Sequence, residues 1–312
     1  MSKKVNLCCP YCKSKVLKKG TYFQCSNKGC FHNKQEGFYS SINEKPILIS
    51  EYYCDTVFDA KSITSLVSRR KDSALKEMID NILYGVPHIT ERNCAKFMEL
   101  ISKEQNTPNC LVIGSGEIGR GTKKLFDSKT ISIIGSDIYE SNFVDVVSDA
   151  HYLPFEDQSI DGVWIQAVLE HVVNPQMVVE EIFRILKPDG IIYAETPFLQ
   201  QVHEGRYDYS RFTVLGHRYL FKNFTSIDIG GNKGAGVALA WSIKYFLWAL
   251  FRSKRIASLL SLPFTILLRI LEKFVDERSL YDASSGVYFL GKKNSETLTH
   301  KNLAKLYKGM QT

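Results

Sequence analysis

Four cysteines near the start of the chain have the spacing of a metal site. Cys9 and Cys12 form a C-x2-C pair, and Cys25 and Cys30 form a C-x4-C pair twelve residues further on. Each short turn can present two thiolates to one side, and two such turns supply the tetrahedral sulfur set that Zn2+ prefers in closed structural sites. Cys8 and His32 could each replace a nominal ligand, and a set of small buried residues without metal is the plainer alternative. A second group is Leu111-Val-Ile-Gly-Ser-Gly-Glu-Ile-Gly, in which Gly114, Gly116 and Gly119 make a G-x-G-x-x-G. Missing side chains let the backbone turn sharply and approach a ligand closely. Asp137 lies 21 residues beyond Gly116, where a carboxylate can accept hydrogen bonds from both hydroxyls of a ribose, or else cap a helix. Asp149 follows a third apolar run, where a carboxylate can accept from an adenine amino group.

A third group follows Glu195 and runs to Thr213, dense in His, Asp, Tyr and Arg. His203 is a candidate general base, since an unperturbed imidazole titrates near neutrality. Asp208 could orient it or bind sugar hydroxyls, and Arg211 could hold an anion such as a phosphate. The same residues could instead form a hydrogen-bonded lid, because local density of polar groups does not establish catalytic geometry.

The elements that must position these groups are legible from pattern. Apolar runs at 110–114, 131–137, 144–148, 160–166 and 191–196 alternate with helical stretches at 119–127 and 175–186. Such alternation predicts a parallel sheet covered on both faces. Two late strands, 225–229 and 286–291, enclose a basic apolar stretch. Upstream, apolar spacing over 72–83 and again over 93–101 predicts two connecting helices, separated by Gly85 and Pro87. Ligands of open α/β sheets bind outside the carboxyl ends of the strands, so the 195–213 segment is expected to overhang the site.

With 312 residues, the chain is long enough for about two domains. Its 44% hydrophobic and 23% charged content excludes wholesale disorder, and 20 Gly with 9 Pro exclude a collagen-like chain. The net charge of +7 is unevenly spread: nine Lys against four acids in 1–55, twelve acids against two basic residues in 136–195, and seven basic residues against one Glu in 233–273. The first residues hold no apolar segment of a secretory signal, so a cytoplasmic protein is expected, where clustered Cys suggest metal rather than disulfides. The division is a module at 1–55, a helical linker at 56–105, and a larger domain at 106–312 with a helical insertion at 233–280.

Asp149-Ala-His-Tyr-Leu-Pro-Phe, Leu169-Glu-His-Val and Leu186-Lys-Pro-Asp-Gly, in this order after the glycine loop, resemble the class I S-adenosylmethionine-dependent methyltransferases of the type 11 kind. The resemblance implies a Rossmann-like α/β sheet of seven strands, the last antiparallel, with helices on both faces. By position, Gly114, Ser115 and Gly116 would line the methionine and ribose part of S-adenosylmethionine, Asp137 would hold the ribose, Asp149 and Ala150 would flank adenine, and Gln166 would lie beside the methyl-donor end. The family often has an acid where this chain has Val112, and Glu117 could substitute for it. His171 would form a pocket wall on the acceptor side with Tyr207 and Arg211. Residues 9–50 resemble the zinc-ribbon modules that precede some bacterial methyltransferase domains, which implies a structural Zn2+ and no zinc-assisted chemistry.

Pro197-Phe, His203 and Asp208-Tyr-Ser-Arg-Phe-Thr resemble a subgroup whose members accompany glycan-assembly enzymes. The expected reaction is therefore O-methylation of a glycan or lipid-linked sugar precursor. Residues 234–251 and 256–268 are apolar, with Trp241, Tyr245 and Trp248 beside Arg252, Lys254 and Arg255, a composition suited to the membrane–water interface. A helical pair resting on the cytoplasmic leaflet is expected; a lid or dimer contact would bury the same residues. Two other readings stay open. One is a ribosomal or transfer RNA methyltransferase gripping RNA through the basic head, although the acidic 136–195 region would repel phosphate. The other is a non-catalytic S-adenosylmethionine-binding subunit, suggested by Val112.

Overall fold

The computed structural model describes residues 6–49, 81, 83, 85–103 and 105–311. The helix expected over 72–83 lies almost wholly outside the described residues. The first hairpin pairs β1 (Val16–Lys19) with β2 (Tyr22–Cys25), turning at Gly20 with φ +64°. A second hairpin pairs β3 (Ser41–Ile42) with β4 (Lys45–Leu48). Helix α1 (His88–Ile101) leads to β5 (Asn109–Ile113), the short α2 (Lys123–Phe126), β6 (Ser132–Asp137), β7 (Val146–Ser148) and β8 (Ile160–Gln166). Next come α3 (Pro175–Ile185), β9 (Leu186–Pro197), α4 (Val214–Leu220) and β10 (Phe224–Lys233). Helices α5 (Ala235–Phe251) and α6 (Lys254–Leu271) form a hairpin, followed by α7 (Ser279–Ala283), β11 (Gly286–Lys293) and α8 (His300–Ala304).

One sheet runs β10-β11-β9-β8-β5-β6-β7-β4-β3. Strands β5 to β9 are parallel, and β11 is antiparallel to both neighbours. Period-two alternation sends neighbouring residues to opposite faces. Leu111, Ile113, Val163, Ile165, Ile192 and Ala194 meet Val178, Val179 and Ile182 of α3. Cys110, Val112, Trp164 and Tyr193 meet Phe97 and Ile101 of α1 on the other face. Burial on both faces accounts for near-continuous apolar runs.

The expected seven strands are present, and the sheet has two more. Ile47 and Leu48 of β4 pair in parallel with Val147 and Ser148 of β7, so the N-terminal hairpin extends the main sheet. Further contacts fasten the module: Cys8 N donates to Pro154 O (3.0 Å), Lys13 pairs with Glu181 (2.8 Å) and Lys45 with Glu140 (2.7 Å). The helix expected at 119–127 shrinks to one turn. Gly121 takes φ +85°, outside helical geometry, and Gly119 packs where a Cβ would lie 2.4 Å from Gln166 Oε1. Lys187–Gly190, just after the end of α3, bulges within β9, with Asp189 at φ +65°. Pro263 does not interrupt α6, because the carbonyl it leaves without a donor is that of the exposed Leu259.

Candidate functional site

The glycine loop leaves β5 at its carboxyl end. Gly114 has φ +79°, and a Cβ there would lie 2.2 Å from Val168 Cγ2, so only glycine fits. Its first amides are already bonded: Gly114 N and Ser115 N donate to Ser136 O (2.9 and 3.2 Å), and Gly116 N donates to Asp137 Oδ2 (2.8 Å). Ile138 N donates to the other oxygen, Asp137 Oδ1 (2.6 Å). The loop is therefore fixed beside the carboxylate, and at Gly116 a Cβ would lie 2.2 Å from the Tyr139 hydroxyl, so that ring rests against the loop. Ser115 is fully buried with its Oγ unbonded. Val112 packs within the sheet, while Glu117 is exposed on the loop.

Asp149 has a structural task besides any adenine contact. It caps the short turn Ala150–Tyr152, accepting from His151 N (2.9 Å) and lying 2.6 Å from His151 Nδ1. Gln166 ends β8 with Nε2 donating to Arg120 O (3.2 Å), which faces its amide toward the glycine loop. Ala167 follows at φ +53°, a sharp turn that brings Val168 against Gly114 and delivers Leu169–His171 to the site.

The expected acceptor residues do converge. The Asp208 side chain is shielded from solvent and receives His203 N (2.8 Å) and the paired guanidinium of Arg211, whose Nη2 is 2.5 Å away. Arg211 also donates to Gln200 O, Gln201 O and Ser210 O (3.0, 3.2 and 2.8 Å). Its fork is used up in closing the loop, so it is not the outward-facing anion holder that its type suggested. Burial disfavours the charge on Asp208, but the Arg211 bonds and the His203 amide outweigh it and hold the carboxyl below its usual range. His171 Nδ1 lies 2.7 Å from Tyr207 O, so Tyr207 positions the wall through its main chain.

Sequence reasoning missed Glu170. It is 0% exposed, and neither carboxylate oxygen has a hydrogen-bond partner. Its Oε1 lies 3.6 Å from His203 Nε2 and 3.7 Å from His171 Nε2. The Glu170 carboxylate, outweighing burial, holds the His203 imidazole above its ordinary value. The available signal was adjacency to His171 within Leu-Glu-His-Val; the link to His203 crosses 33 residues.

In the head, Cys9, Cys12, Cys25 and Cys30 place their sulfurs within 4.8 Å of one another. Cys12 and Cys25 are 3.3 Å apart, Cys9 and Cys30 3.9 Å. Tetrahedral zinc with bonds of about 2.3 Å needs sulfurs about 3.8 Å apart, so the four fit that ion. Neither Cys8 nor His32 belongs to this cluster; His32 Nδ1 lies 2.5 Å from Gly37 O.

Residues 111–194 match the family described as a methyltransferase domain. Over 105 residues the chain is 30% identical to the ubiquinone/menaquinone biosynthesis C-methyltransferase UbiE of Saccharophagus degradans, covering 33% of this chain and 39% of that protein. The chain thus spans about two fifths of that relative's length. Among solved structures, a putative sarcosine dimethylglycine methyltransferase from Galdieria sulphuraria is 20% identical, with a TM-score of 0.43 over 66% of this chain and 85% of that one. A SAM-dependent methyltransferase from Archaeoglobus fulgidus is 16% identical, with a TM-score of 0.43 over 70% and 99%.

Proposed function

We propose that the chain is a methyltransferase that takes its methyl group from S-adenosylmethionine and delivers it to a hydroxyl of a glycan or lipid-linked sugar. The observation carrying the cofactor reading is the clasp of Gly116 and Asp137 at the carboxyl ends of β5 and β6, inside the matched domain. When bound, S-adenosylmethionine supplies an electrophilic methyl carbon. The chain has to align the acceptor and deal with its proton. Asp208, closed by Arg211, holds the main chain of His203 and faces its Nδ1 at 3.3 Å, with Nε2 on the side of Glu170 and the His171 ring. His203 is the residue assigned to the acceptor proton, with Asp208 as its positioning residue.

The finer acceptor reading is supported by the α5–α6 hairpin. Its binary pattern is inverted: α6 buries small residues (Ala257, Ser261, Thr265) against the protein and turns large apolar ones outward. Phe246, Leu259 and Phe274 are 68, 70 and 82% exposed, with Leu250, Leu267 and Ile270 beside them. Arg252, Lys254 and Arg255 join the two helices, and Lys254 sits 4.4 Å over the Trp248 ring. An apolar face edged by cations and an aromatic fits an anionic lipid surface. Among the described residues, no helix is long and apolar enough to cross a membrane. The hairpin also touches the acceptor loop: Tyr245 OH donates to Val202 O (3.0 Å), and Gln201 Nε2 to Ser242 Oγ (2.9 Å). A lipid-linked acceptor held at that face would meet the loop carrying His203.

The Cys9, Cys12, Cys25 and Cys30 cluster is assigned to a structural Zn2+ that ties the two cysteine turns of the head together. The test of the enzymatic reading is calorimetric titration with S-adenosylmethionine, joined to mass spectrometry of cell-envelope sugars and RNA from a deletion strain. A missing methyl increment on a sugar is expected. Loss of a methyl from RNA alone would move the acceptor to nucleic acid, and no cofactor binding would end the reading.

A further inference from the structure

A carboxylate with no solvent and no hydrogen bond is one of the more costly groups a protein can hold. Glu170 is in that position, and both of its nearest polar neighbours are imidazole nitrogens standing just beyond hydrogen-bond reach. Only the His171 ring has an acceptor at hydrogen-bond distance from its other nitrogen; His203 Nδ1 stands near a carboxylate oxygen without bonding to it. His171 Nδ1 faces Tyr207 O at 2.7 Å, and His203 Nδ1 faces Asp208 Oδ2 at 3.3 Å. The Tyr207 carbonyl selects the His171 tautomer with the proton on Nδ1, leaving its Nε2 on the side of Glu170, where His203 Nε2 also stands. A buried carboxylate with no hydrogen bond calls for a positive partner, and a cation shared with the two imidazoles would supply it where a protonated His203 alone leaves His171 unused. Histidines whose far nitrogen is held by a carbonyl or carboxylate are the usual form of a metal ligand.

The geometry points to a divalent-cation site made by Glu170 Oε1, His171 Nε2 and His203 Nε2. The three ligand atoms lie within 4.8 Å of one another, with two of the separations at 3.6 and 3.7 Å. Ligands about 2.1 Å from an ion sit roughly 3.0 Å apart in an octahedron and 3.4 Å apart in a tetrahedron, so the group closes on an ion by drawing its side chains together by about 1 Å. Two imidazoles and one carboxylate suit a borderline ion such as Mn2+, Fe2+ or Zn2+ better than Mg2+ or Ca2+. Such a triad fills one side of the ion and leaves positions for water or an acceptor hydroxyl. The inference rests on reading the 198–213 loop as the acceptor wall. It deepens that reading: the ion would bind the acceptor hydroxyl and lower its pKa so that its proton passes to solvent water, and His203 would serve as a ligand of the ion in place of the acceptor-proton role assigned above.

The test uses the full chain with zinc in its cysteine site, and Mn2+ alone as the probe, followed by loss of the free-Mn2+ paramagnetic resonance signal. One Mn2+ per chain is expected beside the zinc. Glu170→Gln, His171→Gln and His203→Gln should each weaken Mn2+ by more than the roughly 10–100-fold that loss of an outer-shell partner costs. Zinc content and S-adenosylmethionine affinity, measured on the same samples, report whether each variant is folded. Absence of Mn2+ binding by the wild type, or binding that survives all three substitutions, overturns the site. Cofactor binding that persists in that case leaves the methyltransferase reading standing, and Mn2+ binding without cofactor binding would separate the two the other way.

Discussion

The amide of Gly116 donates to Oδ2 of Asp137 across 2.8 Å, tying the loop after β5 to the end of β6. One carboxylate therefore shapes the main chain of the loop and stands beside it as an acceptor. Asp137→Ala removes both roles at once. With charge-assisted hydrogen bonds worth about 1.5–3 kcal/mol each, S-adenosylmethionine affinity should fall at least about tenfold, read by calorimetry. Unchanged affinity would remove the cofactor from this crevice.

The head gives a second expectation. Cys12→Ser should release the zinc and lower the unfolding temperature, since metal binding to such a cluster is coupled to folding. Cys8→Ser should leave one zinc per chain, because Cys8 stands outside the four-sulfur group and meets the larger domain through its amide instead. Elemental analysis of both purified variants decides. Equal zinc loss in the two would mean that the ligand set is different.

The outward face of the helical hairpin can be tested without disturbing the core. Phe246, Leu259 and Phe274 are all mostly exposed, so replacing the three with Ser should change stability little. Each side chain gains about 1.5–3 kcal/mol when fully buried. Binding to anionic liposomes should therefore weaken by roughly a hundredfold or more, seen as loss of flotation. A wild-type protein that stays in the soluble fraction argues instead for a lid or a dimer contact.

Local pattern carried the sheet further than it carried the site. The run at 160–166 is the strand β8 to the residue, because a strand buried on both faces is written as an apolar run with clear ends. The pairing of β4 with β7 joins residues about a hundred positions apart through main-chain bonds, and neither strand's composition encodes it. The 119–127 stretch has helical composition, yet Gly121 adopts a left-handed conformation that periodicity does not register. The cysteines and Asp137 were legible because spacing alone restricts where they can lie. Arg211 and Glu170 were misjudged or missed for the same reason: what each does depends on partners brought in by the fold. Arg211 is turned inward by Asp208 and three loop carbonyls, and Glu170 faces a histidine delivered by the following loop.

Acid stability offers a test of the packing behind the site. His217 is 1% exposed, its Nε2 lies 2.9 Å from Thr196 Oγ1, and Phe212 and Phe221 flank its ring. Burial holds the imidazole down to about 3, whereas in the unfolded chain it titrates near 6.5. Between those values the unfolded chain takes up a proton that the folded chain refuses. The sign follows: this residue destabilises the fold progressively as pH falls from about 6.5 toward 3, by about 1.4 kcal/mol per pH unit, and has no such effect above 6.5. His217→Gln removes the titration and can retain a hydrogen bond to Thr196. Whatever the variant loses at pH 7, it should lose about 2–3 kcal/mol less than wild type between pH 7 and pH 4.5, read from urea midpoints at the two values. Parallel losses in both proteins would mean that His217 is hydrated in the folded state, and that the layer of α4 against β9 and β11 is more open than its aromatic packing indicates.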